Sequence, residues 1–232
     1  MVRIIKEYEE RKNELLDTAQ QLFFVKGYDQ TSVETIINQV GVSKGTFYYY
    51  FKSKEDLLDK LVERLSKKII FELKSMVERE DLNALEKLNQ AFKITRNIKL
   101  ENIDLLKTVM QFYYEEKNLL FRHKINANSI KLFVPEFSKI INQGIKEKSF
   151  DTLFPEEAAR LILDLAVDLS ESMPTLILEL DQNPENFVKI ERTMKSYESA
   201  VERILGAKKD TVNVVNREII KNFLEKIKTL KD

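Results

Sequence analysis

The sequence predicts an all-α protein, and three observations lead to this prediction. Glycine and proline are scarce, with five and four residues in a chain of 232. Apolar residues recur at spacings of three, four and seven along stretches rich in Leu, Ile, Glu and Lys, whereas alternation with period two is rare. Three of the five glycines (Gly27, Gly41 and Gly45) lie close together, which indicates a tightly turned N-terminal module followed by a larger helical domain.

Composition limits the classes of function. The 38 Lys and Arg residues balance 38 Asp and Glu residues, so nucleic-acid binding cannot be argued from net charge and needs a local site. The chain has no cysteine and a single histidine, His123, which excludes disulfides and thiol nucleophiles and argues against zinc sites and His-dependent catalysis. We therefore expect no enzyme activity, no cofactor and no metal.

The sequence also argues against a membrane or secretory location. No apolar run approaches the ~18 residues that span a bilayer, and the N-terminal segment MVRIIKEYEERKNE carries too many charges for a signal peptide. A cytoplasmic protein that does not associate with membranes is expected.

The N-terminal module begins with two predicted helices. The first runs from about Ile5 to Lys26 and ends at Gly27, because a glycine commonly follows the last turn of a helix. Thr31 is predicted to cap the second helix, since Thr31-Ser-Val-Glu34 has the spacing of a capping box. The second helix is expected to end at Gly41.

A third short helix is predicted from a cap at Ser43 to Tyr50, and Ser53-x-x-Asp56 is expected to open a long fourth one. The remaining helices are predicted at Ser53–Glu80, Leu82–Lys99, Ile103–Lys124, Ser129–Lys148, Pro155–Leu180, Glu185–Leu205 and Thr211–Leu230. Pro135 and Pro174 fall inside two of them and should kink or split these helices.

The second and third helices have the features of a helix-turn-helix. This motif needs two short helices at a steep angle, a tight turn, and buried apolar contacts that fix the angle. Gly41 can adopt the left-handed conformation that the turn requires without a Cβ penalty. The apolar residues placed around this turn are Ile36, Val40, Val42, Phe47 and Tyr50.

The third helix has one face that is hard to explain by packing. At about 100° per residue, Tyr50 and Phe51 lie within about 60° of Phe47 if that ring points to the core. The opposite face then carries Gly45, Thr46, Tyr48 and Tyr49. A glycine lets the backbone approach a major groove, and threonine and tyrosine side chains can contact base edges. A buried or interfacial aromatic patch is the alternative interpretation of these tyrosines.

The same region carries a local positive charge. Between Gly41 and Lys54 the charged residues are Lys44, Lys52 and Lys54, with no acid, as contact with phosphates requires. The N-termini of the second and third helices, near Thr31 and Ser43, add free N–H groups and the positive ends of helix dipoles. Lys44 stands in the first turn, within reach of a base or a phosphate.

At these residues the chain resembles the TetR family of transcriptional regulators. The matching stretch covers about the first fifth to quarter of the chain and agrees at many positions in register. It consists of Ala19-x-x-Leu22-Phe23-x-x-x-Gly27-Tyr28, Thr31-Ser32-Val33, Gly41-Val42-Ser43-Lys44-Gly45-Thr46-Phe47-Tyr48 and Tyr50-Phe51-Lys52-Ser53-Lys54-Glu55-Asp56-Leu57-Leu58. Two positions depart from the family pattern, because Ile37 and Val40 stand where alanine is usual.

The resemblance implies a homodimer with a DNA-binding domain at residues 1–52 and a helical ligand-binding and dimerisation domain at residues 53–232. It further implies two groups of residues at double-stranded operator DNA. The group that faces bases is Lys44, Gly45, Thr46 and Tyr49. The group that meets phosphates is Thr31, Ser43, Tyr48 and Lys54. Phosphate contacts set the register on the duplex, and base contacts set the sequence preference.

The resemblance also implies an effector pocket in the larger domain. The candidates for its lining are Arg96, Met110, Tyr113, Tyr114, Phe133 and Phe137. Apolar side chains with a few polar groups favour a small hydrophobic or amphipathic effector. Each of these side chains could equally be part of the ordinary core.

Residues 155–205 are the predicted dimer interface. Ala158, Ala159, Leu161, Ile162, Leu165, Ala166 and Leu169 form an apolar surface too broad for one buried stripe. Two helices from each subunit could then form a four-helix bundle across a two-fold axis, unless this surface is internal core. The predicted helix at 211–230 could cover the core or lengthen the dimer contact.

The resemblance implies a repressor that is released from a palindromic operator when a small effector binds. An activator or a regulator without a ligand could use the same fold, and the position of the operator relative to a promoter would separate them. A helical interaction module without DNA binding is the alternative from another class.

Overall fold

The computed structural model describes residues 2–102, 105, 119–179 and 182–214, and within these ranges it contains helices and no strand. The predicted all-α class is therefore confirmed. In chain order the helices are α1 Val2–Lys26, α2 Val33–Val40, α3 Lys44–Tyr50, α4 Lys54–Val77, α5 Ala84–Glu101, α6 Leu119–Lys146, α7 Pro155–Leu178 and α8 Asn186–Leu205. Within the described ranges no helix is long and apolar enough to cross a bilayer.

The ends of the helices in the N-terminal module mostly follow the predicted signals. Gly27 ends α1 in a positive-φ conformation (φ 84°) and donates its N–H to the carbonyl of Phe23 at 2.9 Å. At the start of α4, the hydroxyl of Ser53 accepts the N–H of Asp56 at 3.1 Å, as the sequence predicts. The prediction for α2 is wrong by one residue, because Ser32 and not Thr31 caps this helix and accepts the N–H of Thr35.

The sequence prediction differs most from the structure around α6. Separate helices were expected to end at Lys124 and to begin at Ser129, but α6 runs without interruption from Leu119 to Lys146. No glycine or proline lies between those two expected ends, so the polar residues there do not terminate the helix. Pro135 lies inside α6 and does not divide it into two helices. His123 is consequently an exposed residue within α6 and not at the end of a helix.

The chain divides into two compact units, and the first comprises the described parts of Met1–Lys67 and Asn102–Ile125. Its core contains the fully or almost fully buried residues Leu15, Leu16, Ala19, Phe23, Ile36, Phe47, Phe51, Leu57, Leu58 and Leu61. Because α4 supplies the last three of these side chains, the packing unit extends past the domain end that we predict at residue 52.

The second unit comprises the described parts of Lys68–Glu101 and Asn126–Asp232. Helices α7 and α8 pack against each other, and the hydroxyl of Tyr197 in α8 donates to the carbonyl of Ile162 in α7 at 3.1 Å. The rings of Phe92 in α5 and Phe137 in α6 lie 6.0 Å apart, and Tyr197 lies 6.1 Å from Phe92. Burial raises the pKa of Tyr197, so this phenol stays neutral and keeps its hydrogen bond.

Residues 211–214 follow α8 and pack against α5 and α8 within the second unit. We call this short segment the strap. The strap is not helical, so the prediction of a helix that begins at Thr211 is wrong, and residues 215–230 lie outside the described ranges. All four strap N–H groups donate to side chains. Glu202 accepts from Thr211 and Val212 (2.8 and 3.0 Å), Asn89 from Asn213 (2.8 Å) and Glu198 from Val214 (2.8 Å).

Two strap carbonyls accept from side chains as well. The Asn89 amide donates to Thr211 at 2.9 Å, and the Arg96 guanidinium donates to Val214 at 2.6 Å. Asn89 thus both accepts from and donates to the strap, as a neighbouring strand would. Side chains of α5 and α8 therefore bind the same strap, which links these two helices.

Replacing Glu202 with alanine should lower the free energy of unfolding by roughly 1–3 kcal/mol, because two backbone N–H groups would no longer have their shared acceptor. Urea unfolding of the full chain measures this decrease. Glu80→Ala is the matched control, since this carboxylate is exposed and should matter little. Equal stability of both variants would show that the two hydrogen bonds from the strap to Glu202 do not stabilise the second unit.

Candidate nucleic-acid interface

The turn between α2 and α3 has the geometry of a helix-turn-helix. Gly41 adopts a left-handed conformation (φ 75°, ψ 35°) at the end of α2. The N–H groups of Gly41 and Val42 both donate to the carbonyl of Ile37, at 2.9 and 3.0 Å. Ser43 then begins α3 in an extended conformation. The turn places this residue at a positive φ, which favours glycine, so the predicted role of Gly41 is confirmed.

Helix α3 has a buried face and an exposed face, as the sequence predicts. Phe47 is fully buried, with an exposed fraction of 0%, and Phe51 is also in the core. Tyr49 on the other side is 72% exposed, and Tyr48 is 49% exposed. Gly45 is exposed, and a Cβ added there would meet only the hydroxyl oxygen of Ser43, at 3.7 Å. The face predicted to meet bases is therefore accessible.

Helices α2 and α3 begin with the same arrangement of two hydroxyls. Ser43 accepts the N–H of Thr46 at 3.1 Å, and the two side-chain oxygens lie 2.8 Å apart. Ser32 and Thr35 repeat this pattern at the start of α2, at 3.0 and 2.9 Å. Both hydroxyl pairs are at helix N-termini, where N–H groups and the helix dipole favour an anion such as a phosphate.

Thr31 is not available for the phosphate contact expected of it. Its side chain is fully buried (0% exposed), and its hydroxyl donates to the carbonyls of Gly27 and Leu22 at 2.8 and 3.2 Å. The prediction for this side chain is wrong, because Thr31 closes the turn between α1 and α2. Ser32, one residue further on, is exposed and occupies the cap position.

Lys54 has a partner within the protein that the sequence did not indicate. Its Nζ donates to the carbonyl of Tyr28 at 2.8 Å and lies 4.0 Å from the centre of the Tyr28 ring. Lys44 and Lys52 are exposed, so the three lysines of the predicted positive patch differ in environment. The ammonium of Lys54 has three donors, and one of them is bound to the Tyr28 carbonyl.

Three tyrosines from two helices form a cluster beside the exposed face of α3. Tyr8 of α1 lies 5.8 Å from Tyr49 and 4.8 Å from Tyr50, and the latter two are 5.1 Å apart, measured between ring centres. Burial is the main cause that raises the pKa of Tyr50, and Tyr49 and Tyr8 add to it. The sequence does not indicate that Tyr8 is part of this site, because only tertiary structure brings it next to α3.

An open groove of about 720 Å³ lies between α1 and α3. Its lining combines the tyrosine cluster with charged residues of α1: Glu7, Tyr8, Glu10, Arg11, Glu14, Thr46, Tyr49 and Tyr50. Arg11 donates to Glu14 at 2.5 Å, so the guanidinium is paired with one of the three carboxylates. This groove therefore has an acidic wall on α1 and an aromatic wall on α3.

The residues predicted to line an effector pocket differ in burial and in their contacts. Arg96 is bound to the strap, and burial lowers its pKa. Phe137 is buried against Phe92, while Phe133 is half-buried. The remaining candidates, Met110, Tyr113 and Tyr114, lie outside the described residues. Among the residues that the structure describes, no group of three or more Asp, Glu or His side chains could hold a metal ion.

Helix α7 has two apolar faces, which bears on the predicted dimer interface. Ala159 and Ile162 are fully buried, and Ala158 is almost so. Leu161 and Leu165 are 55% and 38% exposed in the single chain. Apolar residues therefore occupy both the buried and the exposed side of α7. The described part of the chain does not cover the side that carries Leu161 and Leu165.

The exposed helix α3 follows a glycine turn and is supported by a buried aromatic core. These features define a helix-turn-helix DNA-binding regulator.

Comparison with known proteins supports the same class. The family model "Bacterial regulatory proteins, tetR family" matches residues 15–61. The fatty acid metabolism regulator protein of Bacillus subtilis (strain 168) is 30% identical over 166 residues, which cover 71% of this chain and 82% of that protein. The chain belongs to the TetR family of transcriptional regulators.

Two further relatives extend the comparison. The HTH-type transcriptional repressor KstR2 of Mycobacterium tuberculosis (strain ATCC 25618 / H37Rv) is 26% identical over 157 residues, covering 65% of this chain and 74% of that protein. A solved structure from Syntrophomonas wolfei str. Goettingen, assigned to the TetR family, superposes with a TM-score of 0.60. It is 23% identical, and the match covers 84% of this chain and 96% of that one. At this identity, the similarity to the Syntrophomonas wolfei structure shows a shared fold.

Proposed function

We propose that the protein is a dimeric, cytoplasmic repressor that binds a palindromic operator and leaves it when a small hydrophobic or amphipathic effector binds. The observation that carries the proposal is the exposed face of α3, where Gly45 and Tyr49 stand opposite the buried Phe47. The major groove of DNA accommodates such a face on a short helix, and glycine and tyrosine there can approach base edges.

Contacts with DNA divide into two groups in this proposal. Lys44, Gly45, Thr46 and Tyr49 face base edges and set the sequence preference. Ser43, Tyr48 and Lys54 meet phosphates, and the exposed Ser32 at the α2 terminus takes the place first expected for Thr31. Thr46 can contact a base through its hydroxyl while it remains bonded to Ser43, because a hydroxyl both donates and accepts.

The dimer forms in this proposal through residues 155–205. The exposed Leu161 and Leu165 are one helical turn apart on α7, and Val188 on α8 is exposed as well. Burying a fully exposed leucine contributes about 1.5–3 kcal/mol, and covering the exposed part of Leu161 and Leu165 contributes a fraction of this at each of the two symmetric positions. A dimer also explains how two short α3 helices could bind two half-sites.

Selection of bound sequences from random duplexes tests the central claim. We expect an inverted repeat whose half-sites are about 34–36 Å apart, one turn of the double helix, or a multiple of that distance. Enrichment of no sequence, or of a single half-site without symmetry, would contradict a dimeric sequence-specific regulator. The position of the selected operator relative to a promoter then separates repression from activation.

Effector release has its own test. The relatives named above include a regulator of fatty acid metabolism and a repressor, which makes fatty acids of increasing chain length the first compounds to test. An effector must bind the DNA-free form more tightly to shift the population away from the operator. Anisotropy of a labelled operator should fall as an active compound is added. Unchanged affinity across the series, with glucose as a polar control, would contradict an amphipathic acyl effector.

Replacing Lys54 with methionine should weaken binding to every duplex and reduce the slope of log K against log salt by about 1 for each phosphate that the variant no longer neutralises. The variant should also be less stable, because the interaction of the ammonium with the carbonyl and ring of Tyr28 is removed. Lys74→Met, on an exposed residue of the same helix, is the control. A normal salt slope combined with lower stability would show that Lys54 serves only Tyr28.

A further inference from the structure

The tyrosine cluster contains a residue that is not on the helix-turn-helix itself. Tyr8 belongs to α1, and its ring contacts both Tyr49 and Tyr50 of α3. The rings of Tyr8 and Tyr49 are nearly perpendicular, with an interplanar angle of 78°, and those of Tyr49 and Tyr50 make an angle of 82°. Edge-to-face contacts at these distances are the arrangement that aromatic pairs favour.

This cluster restricts the side chain that the proposed function places on a base. Tyr49 is 72% exposed, and a side chain so exposed on a short helix would otherwise change rotamer freely. Two perpendicular rings, Tyr8 and Tyr50, limit its orientation before DNA binds. Holding a side chain in its bound orientation reduces the entropy decrease on binding and so increases affinity.

We propose that Tyr8 is a positioning residue for base recognition, which acts by holding the ring of Tyr49 toward the major groove. The inference rests on the proposed function and adds to it a residue of α1. The specificity of the protein then depends on a pair of tyrosines from two helices and not on α3 alone.

The charges around Tyr8 indicate that it acts through Tyr49 and not by touching DNA itself. Glu7, Glu10 and Glu14 line the same groove, and carboxylates there disfavour a phosphate. Arg11 is paired with Glu14, and Lys12 lies 5.9 Å from the centre of the Tyr8 ring. The contacts that Tyr8 makes toward α3 are aromatic.

A double-mutant cycle tests the proposal with the full chain. Tyr8→Ala, Tyr49→Ala and the double variant are titrated with the selected operator and with a random duplex of equal length. We expect Tyr8→Ala alone to weaken operator binding roughly two- to tenfold, the range of an aromatic pair. In the Tyr49→Ala background the same change should have little further effect, because the ring that it positions is gone.

Two controls separate positioning from folding. Tyr8→Phe keeps the ring and should retain wild-type affinity and preference, whereas Tyr8→Leu keeps apolar bulk only and should behave as Tyr8→Ala. The salt slope should not change in any of these variants, since no charge is altered.

Additive effects in the cycle, or equal weakening on operator and random duplex, would overturn the positioning role. A wild-type protein that selects no operator would instead overturn the proposed function, so the two failures are distinguishable.

Discussion

Replacing Thr46 and Tyr49 together with alanine is expected to remove most of the preference of the protein for its operator. Each base contact of this kind contributes about 1–3 kcal/mol of discrimination, and in a dimer the double change removes two of them at each half-site. Operator affinity should therefore fall most of the way to the level of binding to random duplex, with Lys44 keeping a small residual preference. That non-specific level should stay unchanged, because the exposed lysines of the module are retained.

Parallel titrations of operator and random duplex at one salt concentration measure this change in preference. The control is Phe71→Ala, since Phe71 is an exposed aromatic residue of α4 that belongs to the second unit. If the double variant kept its operator preference, α3 would not recognise bases through this face. A helical interaction module without DNA binding would then be the better interpretation.

Replacing Phe47 with alanine is expected to lower the free energy of unfolding by about 3–5 kcal/mol. The ring is completely buried on the inner face of α3, where it contacts Phe51 at 5.6 Å between ring centres. Its removal leaves a cavity in the core shared by α1, α2, α3 and α4. DNA binding should fail on all sequences, because the angle between the helices of the motif is no longer fixed.

Chemical denaturation followed by circular dichroism checks this prediction. Val25→Ala is the control in the same unit, since Val25 is 74% exposed and its removal should change stability by less than about 0.5 kcal/mol. Phe47→Leu should give an intermediate decrease because it keeps much of the volume. A stable Phe47→Ala variant with normal operator binding would contradict the role of this core in holding α3.

Local signals were sufficient to predict the motif but not its finest details. The glycine turn at Gly41, the cap at Ser43 and the inward direction of Phe47 all follow from residue type and helical period. Thr31 and Ser32 are adjacent and both favour helix caps, so local preference could not decide between them. Burial of Thr31 against the carbonyls of α1 and its turn decides the register, and that burial is a tertiary effect.

Contacts between distant residues could not be predicted from one sequence. Lys54 and Tyr28 are brought together by the core that α4 shares with the first helices, and Tyr8 meets α3 for the same reason. The continuous α6 shows that the boundary predicted between Lys124 and Ser129 does not exist, because the residues between them remain helical. The strap's contacts with α5 are likewise distant in sequence, because Asn89 is 124 residues from Asn213 and Arg96 is 118 residues from Val214.

The strap has a consequence for how this protein tolerates substitution. Its partners on α5 and α8 bind main-chain N–H and C=O groups, whereas the side chains of Thr211 and Asn213 donate only to nearby carbonyls, those of Lys208 and Thr211. Proline is unsuitable at each of residues 211–214, because it lacks the donor that each position uses. Insertions between α8 and the strap would move the strap N–H groups away from their acceptors on Glu202, Asn89 and Glu198. Apart from the buried Val212, the strap should therefore tolerate substitutions better than insertions or deletions.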